Sequence, residues 1–157
     1  MKYATIKDND IANGPGIGVS VFLQGCERHC EGCFNPETWD FEGGQEFTQD
    51  TLKHIINALT ANGIKRHLSI LGGEPLHPNN LFLTQLIIST VKQELPETKI
   101  YIWTGYTIEE LRKSSSKALQ YILSTADVLI DGPYIEAERD ITLPMRGSRN
   151  QRIIPLK

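Results

Sequence analysis

Short apolar runs alternate along this chain with longer segments of helical periodicity, and that alternation narrows the possible folds to a few. Val19-Ser20-Val21-Phe22-Leu23, His67-Leu68-Ser69-Ile70-Leu71, Lys99-Ile100-Tyr101-Ile102-Trp103 and Asp127-Val128-Leu129-Ile130 read as strands. Tyr3 to Lys7 reads as a further, peripheral strand. Leu52, Ile55, Ile56 and Leu59 fall on one helical face, with Thr48 as N-cap and Gly63 just past the end. Leu81 to Leu95 predicts a second helix, closed by Pro96. Thr107-Ile108-Glu109-Glu110 has the pattern of a capping box that opens a third, and Ala118 to Leu123 is a short fourth.

Strand and helix alternating in this way wind into right-handed βαβ units around a parallel sheet. Two arrangements satisfy that pattern: an open doubly wound sheet and a curved fragment of a barrel. A complete eight-unit barrel takes about 250 residues. The 157 residues here leave no room for one. In either arrangement functional groups gather on loops after the carboxyl ends of the strands. No internal repeat, low-complexity tract or linker interrupts the chain, so residues 1–157 read as a single domain, irregular from about residue 132.

With 39% hydrophobic and 22% charged residues the chain is globular rather than disordered. A net charge of −3 argues against a broad basic face for nucleic acid. No stretch approaches the roughly 18 apolar residues of a membrane span. The first residues carry no apolar core of a signal peptide, so a cytoplasmic location is expected.

The three cysteines all lie in Cys26-Glu27-Arg28-His29-Cys30-Glu31-Gly32-Cys33, directly after the strand that ends at Leu23. An odd count, tight clustering and a reducing compartment argue against disulfides and for a metal or redox site. Thiolates at this spacing let a short loop wrap one corner of an inorganic cluster, and they suit iron–sulfur clusters or zinc. Three protein sulfurs leave one iron of a four-iron cluster without a protein ligand. A zinc site completed by His29 or His54 is the alternative.

Cys-x3-Cys-x2-Cys after such a strand resembles the radical S-adenosylmethionine enzymes. Leu71-Gly72-Gly73-Glu74-Pro75-Leu76 resembles that superfamily's GGEP motif. Cys33-Phe34-Asn35-Pro36-Glu37-Thr38-Trp39-Asp40 is similar to the segment after the cluster loop in activases of glycyl-radical enzymes. Trp103-Thr104-Gly105-Tyr106, Asp127 to Tyr134, and Arg146-Gly147-Ser148-Arg149-Asn150-Gln151-Arg152 extend the match from about Gly14 to Arg152. Together they resemble the activating proteins of anaerobic ribonucleoside-triphosphate reductase. Many superfamily members have an aromatic residue before the third cysteine; this chain has Gly32 there, and Phe34 follows. Related activases of pyruvate formate-lyase have a Lys shortly after the Asp of their last matched strand; here Gly132-Pro133-Tyr134 follows Asp131, so a Lys contact to the cofactor is not carried over.

The resemblance implies an incomplete, open (β/α) barrel of the radical SAM type, with four to six mostly parallel strands. It implies a [4Fe–4S] cluster on Cys26, Cys30 and Cys33, with S-adenosylmethionine chelated to the remaining iron. One electron from the cluster then releases methionine and a 5′-deoxyadenosyl radical, which takes a hydrogen atom from a glycine of the large reductase subunit. Gly32, Cys33, Phe34, Gly72, Gly73, Glu74, Thr104 and Asp131 are the expected cofactor-facing residues. The glycines would admit the ligand closely, and Glu74 would accept from its ammonium group. No protein acid–base pair or nucleophile stands out, in keeping with hydrogen abstraction by a cofactor-derived radical. Arg146, Arg149 and Arg152 would serve an interaction or structural role. The family also suggests a flavodoxin-type electron donor and leaves open both a homodimer and a hetero-oligomer with the reductase. Two rival functions are a radical reaction on a small molecule, like that of the carboxy-deazaguanine synthases, and a non-catalytic zinc-binding module.

Overall fold

The structure, a computed structural model, describes residues 1–157. Its strands are β1 (Lys2–Asp10), β2 (Gly18–Leu23), β3 (Gln45–Glu46), β4 (His67–Gly72), β5 (Ile100–Trp103), β6 (Val128–Asp131) and β7 (Arg152–Pro155). Its helices are α1 (Gln49–Leu59), α2 (Leu81–Glu94), α3 (Ile108–Arg112) and α4 (Lys117–Thr125). No helix is long and apolar enough to cross a membrane.

All strands join one mixed sheet in the order β3-β1-β2-β4-β5-β6-β7. The central strands β2, β4, β5 and β6 run parallel, as the alternation predicts. The edges differ from expectation. β1 and β3 on one side and β7 on the other pair antiparallel, so the sheet has seven strands rather than four to six, and the parallel pairings are confined to its middle. β3 is two residues long, too short for any periodicity to register. β7 arises in the segment expected to be irregular, where it covers backbone groups along β6 that would otherwise form an open edge.

Alternation along the parallel strands sorts their side chains by face. Val19, Val21, Leu23, Leu68, Ile70, Ile100, Ile102 and Leu129 share one apolar core with residues of all four helices, among them Ile55, Ile87, Leu111 and Ile122. Helices therefore cover one face of the central sheet, which is not the doubly wound arrangement. The opposite face carries Ser20, Phe22, Ser69, Leu71 and Trp103. Each fully buried Leu or Ile contributes about 1.5–3 kcal/mol, against about 1 kcal/mol for a helix cap, so packing dominates and caps set boundaries. Thr48 caps α1 and Thr107 caps α3; in the latter Glu110 Oε2 accepts from Thr107 N at 2.7 Å.

Candidate metal centre and cofactor cleft

On the face away from the helices, at the carboxyl ends of β2, β4 and β5, lies a cleft of about 420 Å³. Cys26, Cys30, Cys33, Phe34, Gly72, Gly73, Glu74 and Thr104 all line it. Eight of the ten residues expected at a site thus converge from three separate loops. Gly32 and Asp131 do not.

The cysteine loop leaves β2 and returns at a single 3-10 turn, Pro36–Thr38. The returning segment of this loop grips its start: Gly25 N donates to Thr38 O at 2.6 Å and Cys26 N to Trp39 O at 3.0 Å. The buried Gln24 amide donates to Glu37 O and Asp40 O, at 3.0 and 2.8 Å. His29 adopts a positive φ of 48° and stacks on Trp39, with centroids 4.4 Å apart and planes 17° apart. The thiols are free and partly exposed. Burial pushes the Cys26 thiol above the usual range, opposed by the backbone N–H groups of Arg28 and His29.

The donor set fits an iron–sulfur cluster. It is three soft thiols on one loop, facing one cleft, and no three His, Cys, Asp or Glu side chains close on a point as one ion would require. The histidines weighed as a fourth zinc ligand are engaged elsewhere. His29 lies on Trp39, and His54 Nε2 is 2.8 Å from Asp8 Oδ1.

Gly72 and Gly73 are also required by contacts within the protein, and Gly72 takes an unusual backbone angle, as its type suggests. At Gly72, φ is +110°, and a Cβ would stand 2.6 Å from Leu23 N and O. A Cβ on Gly73 would strike the backbone of Gly25. The two glycines let the end of β4 press against the stem of the cysteine loop, so the cleft's two walls meet backbone to backbone. Gly73 N donates to Leu23 O at 2.9 Å and Glu74 N to Gly25 O at 2.8 Å. Asn80, at the start of α2, leaves its own helix uncapped and donates its amide to Gln24 O (3.2 Å) and Glu74 O (2.9 Å).

Glu74 is 3% exposed, and its carboxylate is already bonded within the protein. Oε2 accepts from Leu76 N at 3.0 Å and from the Thr104 hydroxyl at 2.7 Å; Oε1 accepts from Gly105 N at 2.7 Å. Burial raises its carboxyl above the ordinary value, against those same donors and the charge of Arg28. Thr104 Oγ1 in turn accepts from Tyr106 N at 3.1 Å, so the two expected site residues are partners of each other and tie β4 to β5. Arg28 lies over the Tyr106 ring, 4.7 Å from its centroid.

Asp131 is fully buried and lies outside the cleft. Its oxygens accept from Ile108 N (2.8 Å) and from Arg152 Nε and Nη2 (3.0 and 2.6 Å), which makes it the anchor of α3 and β7. Gly32, at φ +76°, faces Glu136 and Tyr134. Phe34 is half exposed, its ring 4.9 Å from Tyr134, which lines the cleft as well.

The carboxyl-terminal segment closes one side. Gln151 Oε1 accepts from Gly147 N and Ser148 N, at 2.9 and 3.2 Å, and its amide donates to Gly132 O at 3.0 Å. That clamp carries Met145, Arg146 and Gly147 to the cleft, where Trp103 Nε1 donates to Met145 O at 2.8 Å. Arg28, Trp39, Trp103, Met145, Gln24 and Asn80 are site residues that sequence reasoning missed. Asn80 reads locally as an ordinary N-cap, and nothing near it in sequence signals its role. The wall holds the cations Lys7, Arg28 and Arg146 against the single carboxylate Glu74.

Residues 12–154 match the model of the 4Fe-4S single cluster domain family. A Vibrio cholerae protein is 42% identical over 154 residues, covering 98% of this chain and 97% of that protein. An Escherichia coli K12 protein is 37% identical over 158 residues, covering all of both chains. One from Enterobacteria phage T4 is 39% identical over 153 residues, covering 98% of this chain and 93% of its own. All three are named anaerobic ribonucleoside-triphosphate reductase-activating protein. With the cysteine loop, the glycine pair and the tail clamp in place on one cleft, this chain belongs to the family of anaerobic ribonucleoside-triphosphate reductase-activating proteins, with a 4Fe-4S single cluster domain.

Proposed function

We propose that the chain is a radical S-adenosylmethionine activase that removes a hydrogen atom from a glycine of anaerobic ribonucleoside-triphosphate reductase. The observation that carries this reading is the convergence of Cys26, Cys30, Cys33, Gly73, Glu74 and Thr104 on one cleft at the strands' carboxyl ends. Cys26, Cys30 and Cys33 would hold a [4Fe–4S] cluster. With S-adenosylmethionine bound, the cluster would supply the electron for its cleavage and the cofactor would supply the hydrogen-abstracting group.

The protein's own part is geometric and electrostatic. Glu74 Oε1, bonded only to Gly105 N, keeps a lone pair for the ammonium of the cofactor. Lys7, Arg28 and Arg146 oppose the negative charge of a thiolate-ligated cluster and of the cofactor's carboxylate. The parallel central strands with helices on one face support the fold reading of an incomplete barrel, whose open side would admit a polypeptide loop. Residues 1–157 would act as a single domain in the cytoplasm, supplied by a flavodoxin-type donor and assembling with the reductase.

The test is anaerobic reconstitution. Holoprotein should contain about four irons per chain, split S-adenosylmethionine when reduced, and yield a glycyl doublet in the electron spin resonance of added reductase. A colourless zinc protein overturns the reading, and modification of a free heterocycle without a radical on the reductase replaces its substrate.

A further inference from the structure

The wall of the cleft contains two indoles, and they differ in one respect. Trp103 Nε1 donates to Met145 O at 2.8 Å. Trp39 Nε1 is shielded from solvent and has no acceptor. The only other buried side-chain atom without a partner is Asn150 Oδ1, an acceptor. An indole nitrogen can donate and nothing else, and buried donors in folded proteins are almost always satisfied. Trp39 Nε1 therefore needs an explanation particular to its place.

That place is the cysteine loop. The Trp39 carbonyl accepts from Cys26 N at 3.0 Å, its ring lies against His29 between the first two cysteines, and the side chain lines the cleft with all three thiols. The backbone bond fixes the stem of the side chain and the stack fixes the plane of its ring. No oxygen of the protein meets its N–H, and neither does a sulfur of the three free cysteines. The acceptor chemistry that loading would bring to this loop is sulfur carrying charge, as thiolate or sulfide. We propose that Trp39 is a positioning residue for the iron–sulfur cluster, its indole N–H donating to a sulfur of the loaded site. This rests on the cysteines being the cluster's ligands. A donor aimed at sulfur stabilises the more negative, reduced state more than the oxidised one, so Trp39 raises the reduction potential.

The test uses anaerobically reconstituted holoprotein and Trp39→Phe, which keeps a ring against His29 and removes the N–H. At equal iron per chain, an electron spin resonance redox titration should give the variant a more negative midpoint than the wild type. Equal midpoints overturn the proposal and leave Trp39 a packing residue. Should the variant fail to fold or to retain iron, the wild type itself decides. With tryptophan labelled by ¹⁵N in the indole, double resonance of the reduced cluster should detect a ¹⁵N coupling and an exchangeable proton. No coupling overturns the assignment. Wild-type protein that takes up no iron overturns the ligand reading beneath it, a failure told apart by iron analysis alone.

Discussion

Arg152 holds the buried carboxylate of Asp131 through two nitrogens, Nε at 3.0 Å and Nη2 at 2.6 Å, across the last pairing of the sheet. Nη2 also reaches Glu109 Oε1 at 2.7 Å, at the start of α3. The partnership holds the Arg152 guanidinium far above its ordinary pKa, chiefly through the bond to Asp131. One arginine thereby fixes β7, the end of β6 and α3 to each other, and with β7 it fixes the tail that forms one side of the cleft.

Asp131→Asn is therefore expected to act on stability rather than on the cluster. It weakens the cap on Ile108 N and leaves Arg152 with a neutral partner, a loss of about 1–3 kcal/mol. The urea midpoint should fall while iron uptake on reconstitution stays at the wild-type level. Loss of iron with an unchanged midpoint would place Asp131 in the site instead.

Asn80→Ala should damage the site from outside it. The amide is the one side chain bonded to both the cysteine-loop stem and the glycine–glutamate turn. Removing it strands the Gln24 carbonyl and leaves Glu74 O with His77 N alone, at a loss of about 1–3 kcal/mol. Amide hydrogen exchange at Gly25, Cys26 and Glu74 should quicken, and bound iron should leave faster under a chelator. Unaltered exchange at those three amides would mean that the backbone bonds of Gly73 and Glu74 suffice.

Cys30→Ala and Glu74→Gln separate the cluster from the cofactor. The first should abolish both iron retention and cleavage of S-adenosylmethionine. The second should keep the cluster and weaken cofactor binding by about 10- to 100-fold, the worth of one charge-assisted hydrogen bond. Equal affinity in a dialysis measurement would reduce Glu74 to a structural tie between Leu76, Thr104 and Gly105.

Asp10 carries a pH prediction. Burial acts to raise its carboxyl, but bonds from Ser20 (2.6 Å), Asn13 (2.6 Å) and Ala12 N (2.9 Å), with Lys7 nearby, outweigh burial and hold it below the ordinary value. Below the ordinary aspartate pKa the unfolded chain then binds more protons than the folded one. Stability from Asp10 is complete above that value and is lost as pH falls through the folded one. Urea unfolding of the apoprotein between about pH 5 and pH 2 should show this slope, flattened in Asp10→Asn. Identical slopes in the two proteins would exclude Asp10 as its source.

Much of the molecule is readable from neighbours in the chain. The parallel strands and the helices emerge because burial on one face imposes a period of two or of 3.6 on adjacent residues, and Thr48 and Thr107 cap the helices they precede. The cysteine loop is equally local: its three cysteines lie within eight consecutive residues. What escaped is non-local. β7 exists because Asp131 meets a guanidinium that arrives 21 residues later. Gly72 and Gly73 are glycines because of Leu23 and Gly25, a separation no pattern in either segment contains. Glu74 is bound by Thr104 and Gly105, just past the end of the next strand. Periodicity and contiguous motifs specify elements and the cysteine loop; hydrogen bonds and steric contacts across strands assign partners, and those come into being only when the sheet has closed.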